Sequence, residues 1–239
     1  MPFTLSHPSL FLPMLYVQRK WFSVTALAIG SMAPDFEYFI RMRIQSDYSH
    51  TLLGVFWFDL PLTILIAFVF HSLIRNSLYN NIPYTLQARL KPFNRFDWKN
   101  YFIKNWLVVV TCALIGIFSH LLWDSFTHET GFFVEKASFL SSDILTVPVY
   151  KVLQHSSTLL GAFVIWKLPC NDSVKKTEVN PYYWIFFVSI VLLIVALRLL
   201  FGLNYRQYGH VIVTAISASF IALVITPILM RVFCSRSSS

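Results

Sequence analysis

The chain has 239 residues, of which 56% are hydrophobic and 13% charged, and its formal net charge is +8. A soluble domain carries about 25% charged residues, and 23 phenylalanines could not be hidden in a soluble fold of this size without large exposed patches. This excludes an ordinary soluble protein and predicts an all-α, polytopic membrane helical bundle, a single membrane domain over 1–239 with the lipid bilayer as its partner.

Residues 1–50 begin with two short apolar stretches, Pro8 to Val17 and Trp21 to Ala33, hinged at Gln18, Arg19 and Lys20. Each falls short of the roughly 20 residues a spanning helix needs, so an N-terminal short-helix hairpin, re-entrant or partly inserted, is expected. No secretory signal is expected, because the start lacks basic residues and a long apolar core. Five spans are predicted: Thr51 to Leu73, interrupted by Asp59 and Pro61; Trp106 to Trp123; Val147 to Trp166; Tyr182 to Leu203; and Val211 to Val232. The third is the least apolar, with Lys151 and His155 inside it. The spans within 51–166 carry ionisable residues, whereas those within 182–232 read as scaffold.

Charge sets the expected orientation. The segment Ile74 to Asn105 holds Arg75, Arg89, Lys91, Arg95, Lys99 and Lys104 against Asp97. The segment Lys167 to Pro181 adds Lys167, Lys175 and Lys176, partly offset by Asp172 and Glu178, and the tail adds Arg231 and Arg236. Five spans put all three on one side, which the positive-inside rule makes cytoplasmic. The opposite loop, Asp124 to Asp143, is acidic. A cell (inner) membrane protein with a cytoplasmic C-terminus follows, and the net charge reflects topology, so no nucleic acid partner is expected. Cys112, Cys170 and Cys234 show neither disulfide nor zinc-knuckle spacing.

The strongest chemical signal lies in Ser119 to Glu129. His120, Asp124 and His128 stand at i, i+4 and i+8, and four residues advance a helix by about 400°, so they stack on one face. Two ligands four apart can hold one metal, and His128 can fall just past the helix end, near Gly131. The topology brings His7, Asp35, His50 and His155 to the same outer side. Imidazole and carboxylate suit Zn²⁺ and related divalent metals. The expected metal ligands are therefore His7, Asp35, His50, His120, Asp124, His128 and His155, enough for more than one ion, with Asp124 as the bridging group. His71 and His210 read as structural or interfacial, Asp59 as a supporting or structural group, and Arg41 and Arg43 as surface charges with a weaker phosphate-binding reading.

At these residues the chain resembles a bacterial membrane family of unknown function. The resemblance rests on Ser6-His7-Pro8, on Gly30 to Tyr38 around Pro34-Asp35, on Ser49-His50-Thr51, on Ser119 to His128, and on Gln154-His155. That family looks like a relative of the YdjM-type inner-membrane metal-dependent hydrolases. More distantly, the ligand order is similar to zinc-dependent phospholipase C and the S1/P1 nucleases. The resemblance implies one to three Zn²⁺ ions and metal-dependent phosphoester hydrolysis. The soluble enzymes use a processed N-terminal residue and end on His-x-x-x-Glu; here His155 is followed by Leu159 at that spacing.

The expected function is hydrolysis of a phosphoester, such as a phospholipid head group, by metal-activated water, with Asp35 or Asp124 orienting or deprotonating that water. The alternative is a non-catalytic metal-binding membrane protein, a transporter or a sensor. A haem protein with paired histidines fits less well, because aspartates are poor company for haem.

Overall fold

In the computed structural model, which describes residues 4–16, 21–90, 96–168 and 176–236, helices make up nearly all the regular structure. Val17 to Lys20, Lys91, Arg95, Cys170, Asp172, Lys175 and the serine tail lie outside the described residues. The chain forms two compact units: Met1–Phe36, Asp47–Ala67 and Asn100–Leu168 make the first, and Glu37–Ser46, Phe68–Lys99 and Pro169–Ser239 the second.

The first unit opens with two 3₁₀ helices, Thr4–Leu10 and Leu12–Tyr16. Helix α1, Val24–Gly30, follows, and the Ser23 hydroxyl accepts the Ala26 N–H at its start. A 3₁₀ turn, Ala33–Asp35, leads into α2, Phe36–Arg41. The predicted hairpin is thus a set of short helical pieces. Its α1 is buried along Ala26, Leu27, Ile29 and Gly30.

Helix α3 runs Leu52–Asn81, from the first unit into the second. Thr51 caps it by accepting the Gly54 N–H at 3.0 Å. Pro61 sits inside it without breaking it. Proline donates no N–H and its ring would meet the carbonyl four residues back, at Trp57. The helix widens into a π turn at Val55–Asp59, which accommodates the ring, and again at Phe70–Ile74. Helix α4, Tyr84–Leu90, follows in the second unit.

Helix α5, Trp98–Thr127, breaks at Asn105 (φ −133°, ψ 31°). The Asn105 amide donates to the Tyr101 carbonyl at 3.0 Å, satisfying a group that the break frees. The predicted span began at Trp106, just past this break. After α5 come α6, Phe132–Lys136, and α7, Ser138–Ser141, then a small antiparallel pair, β1 Asp143–Ile144 with β2 Val147–Pro148. Val134, Leu140, Val149 and Tyr150 pack there with Phe126 and Phe133. Helix α8, Val149–Lys167, closes the unit.

In the second unit α9, Pro181–Leu200, and α10, Tyr208–Arg236, pack together. Asn180 caps α9 through the Tyr182 N–H, and Pro181 takes the first position, where no N–H is needed. Buried Gln87 ties α4 to the segment before α9: its amide donates to Thr177 O and its oxygen accepts Thr177 N–H, both at 3.0 Å.

Among the described residues, four helices are long and apolar enough to cross a membrane: Leu52–Asn81, Trp98–Lys136, Pro181–Leu200 and Tyr208–Phe233. The segment expected as the third span forms helix α8, but Lys151, Gln154 and His155 keep it out of that set.

Candidate metal centre

Gly30 and Gly116 set the site's framework. A Cβ on Gly30 would come within 2.5 Å of Ala113 O, and one on Gly116 would collide with the Leu27 carbonyl and meet Ser31 N at 2.9 Å. Only glycines let α1 and α5 approach this closely. The approach carries the Ser31 carbonyl to His120, one turn beyond Gly116, where it meets Nδ1 at 2.8 Å. A carbonyl only accepts, so Nδ1 carries a proton and Nε2 is the nitrogen turned to the carboxylates.

Ala33, Val55 and Ile117 form a fully buried cluster with Leu60, Leu114 and Leu121 around it. It joins the turn before Asp35 to the helices bearing Asp59 and His120. Asp35 is 1% exposed and His120 fully buried. Asp35 Oδ2 accepts the Thr4 hydroxyl at 2.6 Å, leaving Oδ1, 3.7 Å from His120 Nε2. His50, next to the α3 cap, has Nδ1 3.0 Å from the buried Ser49 hydroxyl, so its Nε2 faces Asp124.

Asp124 is the hub. Its Oδ2 lies 3.2 Å from His120 Nε2 and 3.8 Å from His50 Nε2. Its Oδ1 lies 3.7 Å from His7 Nε2 and 3.5 Å from His128 Nδ1. His7 stacks on His120 with ring centres 4.1 Å apart. His128 stands just beyond the last residue of α5, Thr127, at the turn closed by Gly131.

The donor atoms of Asp35, His50, His120 and Asp124 all lie within 4.8 Å of one another, a group that could hold a metal ion. Two ligands on a tetrahedral ion at about 2.1 Å would stand about 3.4 Å apart, and the contacts to Asp124 bracket that value. Buried His7 Nε2, Asp35 Oδ1, His120 Nε2 and Asp124 Oδ1 have no hydrogen-bond partner among the described residues. Each such atom costs roughly 1–3 kcal/mol. Four at one point would rival the whole net stability of a domain, about 5–15 kcal/mol. A bound cation would satisfy lone pairs from imidazole and carboxylate together.

Burial, then the neighbouring His120, pushes the His7 pKa down to about 3, so His7 is neutral, the form that binds metal. Burial pushes the Asp35 carboxyl up, against the pull of His120. A cation would reverse that penalty.

The chain matches the sequence profile of a family along residues 1–228, described as Domain of unknown function (DUF4184). The chain belongs to that family. No curated protein and no solved structure matches it. The DUF4184 match takes in every element that carries the cluster, and also α9 and most of α10.

Within this DUF4184 chain the other candidates fall elsewhere. His155 is exposed on α8, and no contact joins it to the cluster among the described residues. His71 stacks on Trp98 and approaches Arg75 at 2.9 Å, a structural setting. Asp59 is fully buried in the first π turn of α3. Arg41 is held by Glu37 at 2.8 Å. The participants that sequence reading missed are Ser31 and Thr4, one through its backbone and the other through its hydroxyl.

Proposed function

We propose that this chain is a membrane-embedded, metal-dependent hydrolase of a phosphoester, such as a phospholipid or another membrane-associated substrate. The observation that carries the reading is Asp124, whose two oxygens face different pairs of histidines. Oδ2 with His120, His50 and Asp35 makes one cation position; Oδ1 with His7 Nε2 makes the core of a second, which His128 completes by turning its ring, since its Nδ1 donates to the Asp124 main-chain oxygen at 3.2 Å. That is the donor arrangement of a carboxylate-bridged pair, and the nitrogen and oxygen donors favour Zn²⁺.

Bound divalent ions would supply Lewis acidity at a phosphoryl oxygen and lower the pKa of a water. Asp35 Oδ1 and Asp124 are the chain's own groups for orienting that water and taking its proton. The water oxygen bonds to phosphorus, the bond to the leaving alkoxide breaks, and the leaving oxygen takes up a proton. The order of His7, Asp35, His50, His120, Asp124 and His128 along the chain, similar to the ligand order of zinc-dependent phospholipase C, favours the same chemistry.

A transporter would need a polar route through its scaffold spans. Ser217 and Ser219 on α10 instead donate to their own helix, at Val213 O and Ala215 O. This favours the enzyme.

For topology we propose that α8 also crosses the membrane. Leu159, Leu160, Phe163 and Trp166 are 56–72% exposed on it, as lipid-facing residues would be. Parity adds support: only with α8 spanning do the three basic segments share the cytoplasmic side, with the cluster towards the outer face. A C-terminal reporter active only outside the cytoplasm should stay silent; activity would remove α8 from the spans.

The test of function is elemental analysis and phosphodiesterase assay of purified protein, wild type against His120→Ala and Asp124→Ala. Bound Zn²⁺ and activity should be lost together. Unchanged activity in Asp124→Ala rejects the hydrolase, and metal uptake into proteoliposomes without hydrolysis would favour the transporter.

A further inference from the structure

The second unit holds a cleft of about 440 Å³ that shares no residue with the His/Asp cluster. Met42 to Gln45 form one wall, and Arg198, Phe201 to Leu203, Gln207 and His210 the other. The linkers after α2 and α9 thus meet over the end of a spanning helix.

The cleft's polar groups are almost all donors. Arg198 Nε is buried with no hydrogen-bond partner among the described residues, and its terminal nitrogen reaches Met42 O only at 3.5 Å. The Ile44 N–H donates to His210 Nδ1 at 3.0 Å, so the His210 ring proton sits on Nε2 and is free to donate. Arg43 contributes a second guanidinium, and Gln45 and Gln207 contribute amides. No carboxylate lines the cleft. Glu37, the acid of α2, is taken by Arg41 at 2.8 Å and by the Ser46 hydroxyl at 3.1 Å. Arg43 and Arg198 form no ion pair among the described residues.

A cation in the last turn of α9 would by itself only balance the helix dipole. That does not account for a second arginine, a histidine held in its donor form, and a cleft between them. Met42 also takes a left-handed conformation, φ 51°, a strained choice for a side chain that is not glycine. Its carbonyl lies 3.2 Å from the Thr214 hydroxyl, which shares its proton with His210 O at 2.8 Å.

We propose that this cleft binds a phosphate group, carried by an anionic phospholipid headgroup or as free phosphate. Forked guanidinium donors match phosphate oxygens. Phe201 lines the site and Tyr205 and Tyr208 follow it in the chain, all at 66–79% exposure, the aromatic dressing of the membrane interface where headgroups lie. A zwitterionic headgroup would bring its own cation against two arginines and bind more weakly.

The test uses the full chain in a non-ionic detergent, as wild type, Arg43→Gln and Arg198→Gln. Arg43 is exposed, so its replacement leaves the fold intact. Titration calorimetry is run with dihexanoyl phosphatidylglycerol, dihexanoyl phosphatidylcholine and inorganic phosphate. Phosphatidylglycerol should bind once per chain, with each variant about ten-fold weaker, as loss of a charge-assisted bond implies. Phosphatidylcholine should bind at least ten-fold more weakly than phosphatidylglycerol. Arginine-dependent binding of inorganic phosphate assigns the site to the free anion, and its absence beside phosphatidylglycerol binding assigns it to lipid. If neither binds, or if both variants bind like wild type, the proposal is overturned.

Discussion

His120 donates its Nδ1 proton to the Ser31 carbonyl oxygen 2.8 Å away, and so presents Nε2 to the carboxylates of Asp35 and Asp124. The donor face is therefore set by main chain from another helix, and glycines at the contact govern it. Gly116→Ala should weaken metal binding about ten-fold, the usual cost of losing a supporting contact, without changing any donor. It should also destabilise the fold by about 1–3 kcal/mol through overpacking. Competition with a chelating dye and a thermal melt measure the two. Unaltered metal affinity in a destabilised variant would disconnect the helix contact from the site.

Asp124 divides the cluster, so the two halves should empty separately. His7→Ala with His128→Ala removes the partners of Oδ1, and His50→Ala with Asp35→Asn removes those of Oδ2. Each double variant should lose about half the bound metal, and Asp124→Ala should lose all of it. Atomic emission on desalted protein gives the stoichiometry. Full loss from either double variant would reduce the site to one ion.

Acid should act on the metal-free protein through His7. Its folded pKa, about 3, lies below the ordinary 6.5, so the unfolded chain takes up the proton more readily. The associated stability is whole above pH 6.5 and declines as pH falls from there towards 3. Asp35 works the other way, since its raised pKa makes the folded state less costly as pH falls. The metal-free melting temperature of His7→Gln should therefore drop less between pH 7 and pH 5 than that of wild type. Parallel pH profiles would show that His7 carries no such penalty.

Much of this site was legible because helical register is a one-dimensional property. His120 and Asp124 share a face, and His128 falls past the helix end, both as their spacing indicated. Contacts through main chain were not legible. Nothing in the residue type of Ser31 marks its carbonyl as a partner, and Gly116 reads as ordinary until Leu27 is seen against it. His155 had the right chemistry, but the face a helix presents depends on its packing, and α8 turns that residue outward. His210 looked isolated because its partner, Ile44, lies 166 residues away in the chain. The π turns of α3 left only Pro61 as a trace, since a proline marks where a helix must adjust and not how.

Gly161 tests whether α8 contributes more than span length. It faces the 3₁₀ helix that carries His7, and a Cβ there would stand 2.8 Å from Ser6 Cβ and 3.1 Å from Ser9 Oγ. Among the described residues, the Thr4 hydroxyl bond to Asp35, at 2.6 Å, ties the segment to the site. Gly161→Val should therefore push the 3₁₀ helix away and draw His7 from Asp124, while the donors on α5 stay in place. Metal content should fall towards that of the His7→Ala, His128→Ala double variant, and the ion at Asp35, His50 and His120 should survive. The distinction from general unfolding is an unchanged helical circular dichroism signal beside the lowered metal count. Loss of both ions together, or of neither, would show that α8 does not position His7.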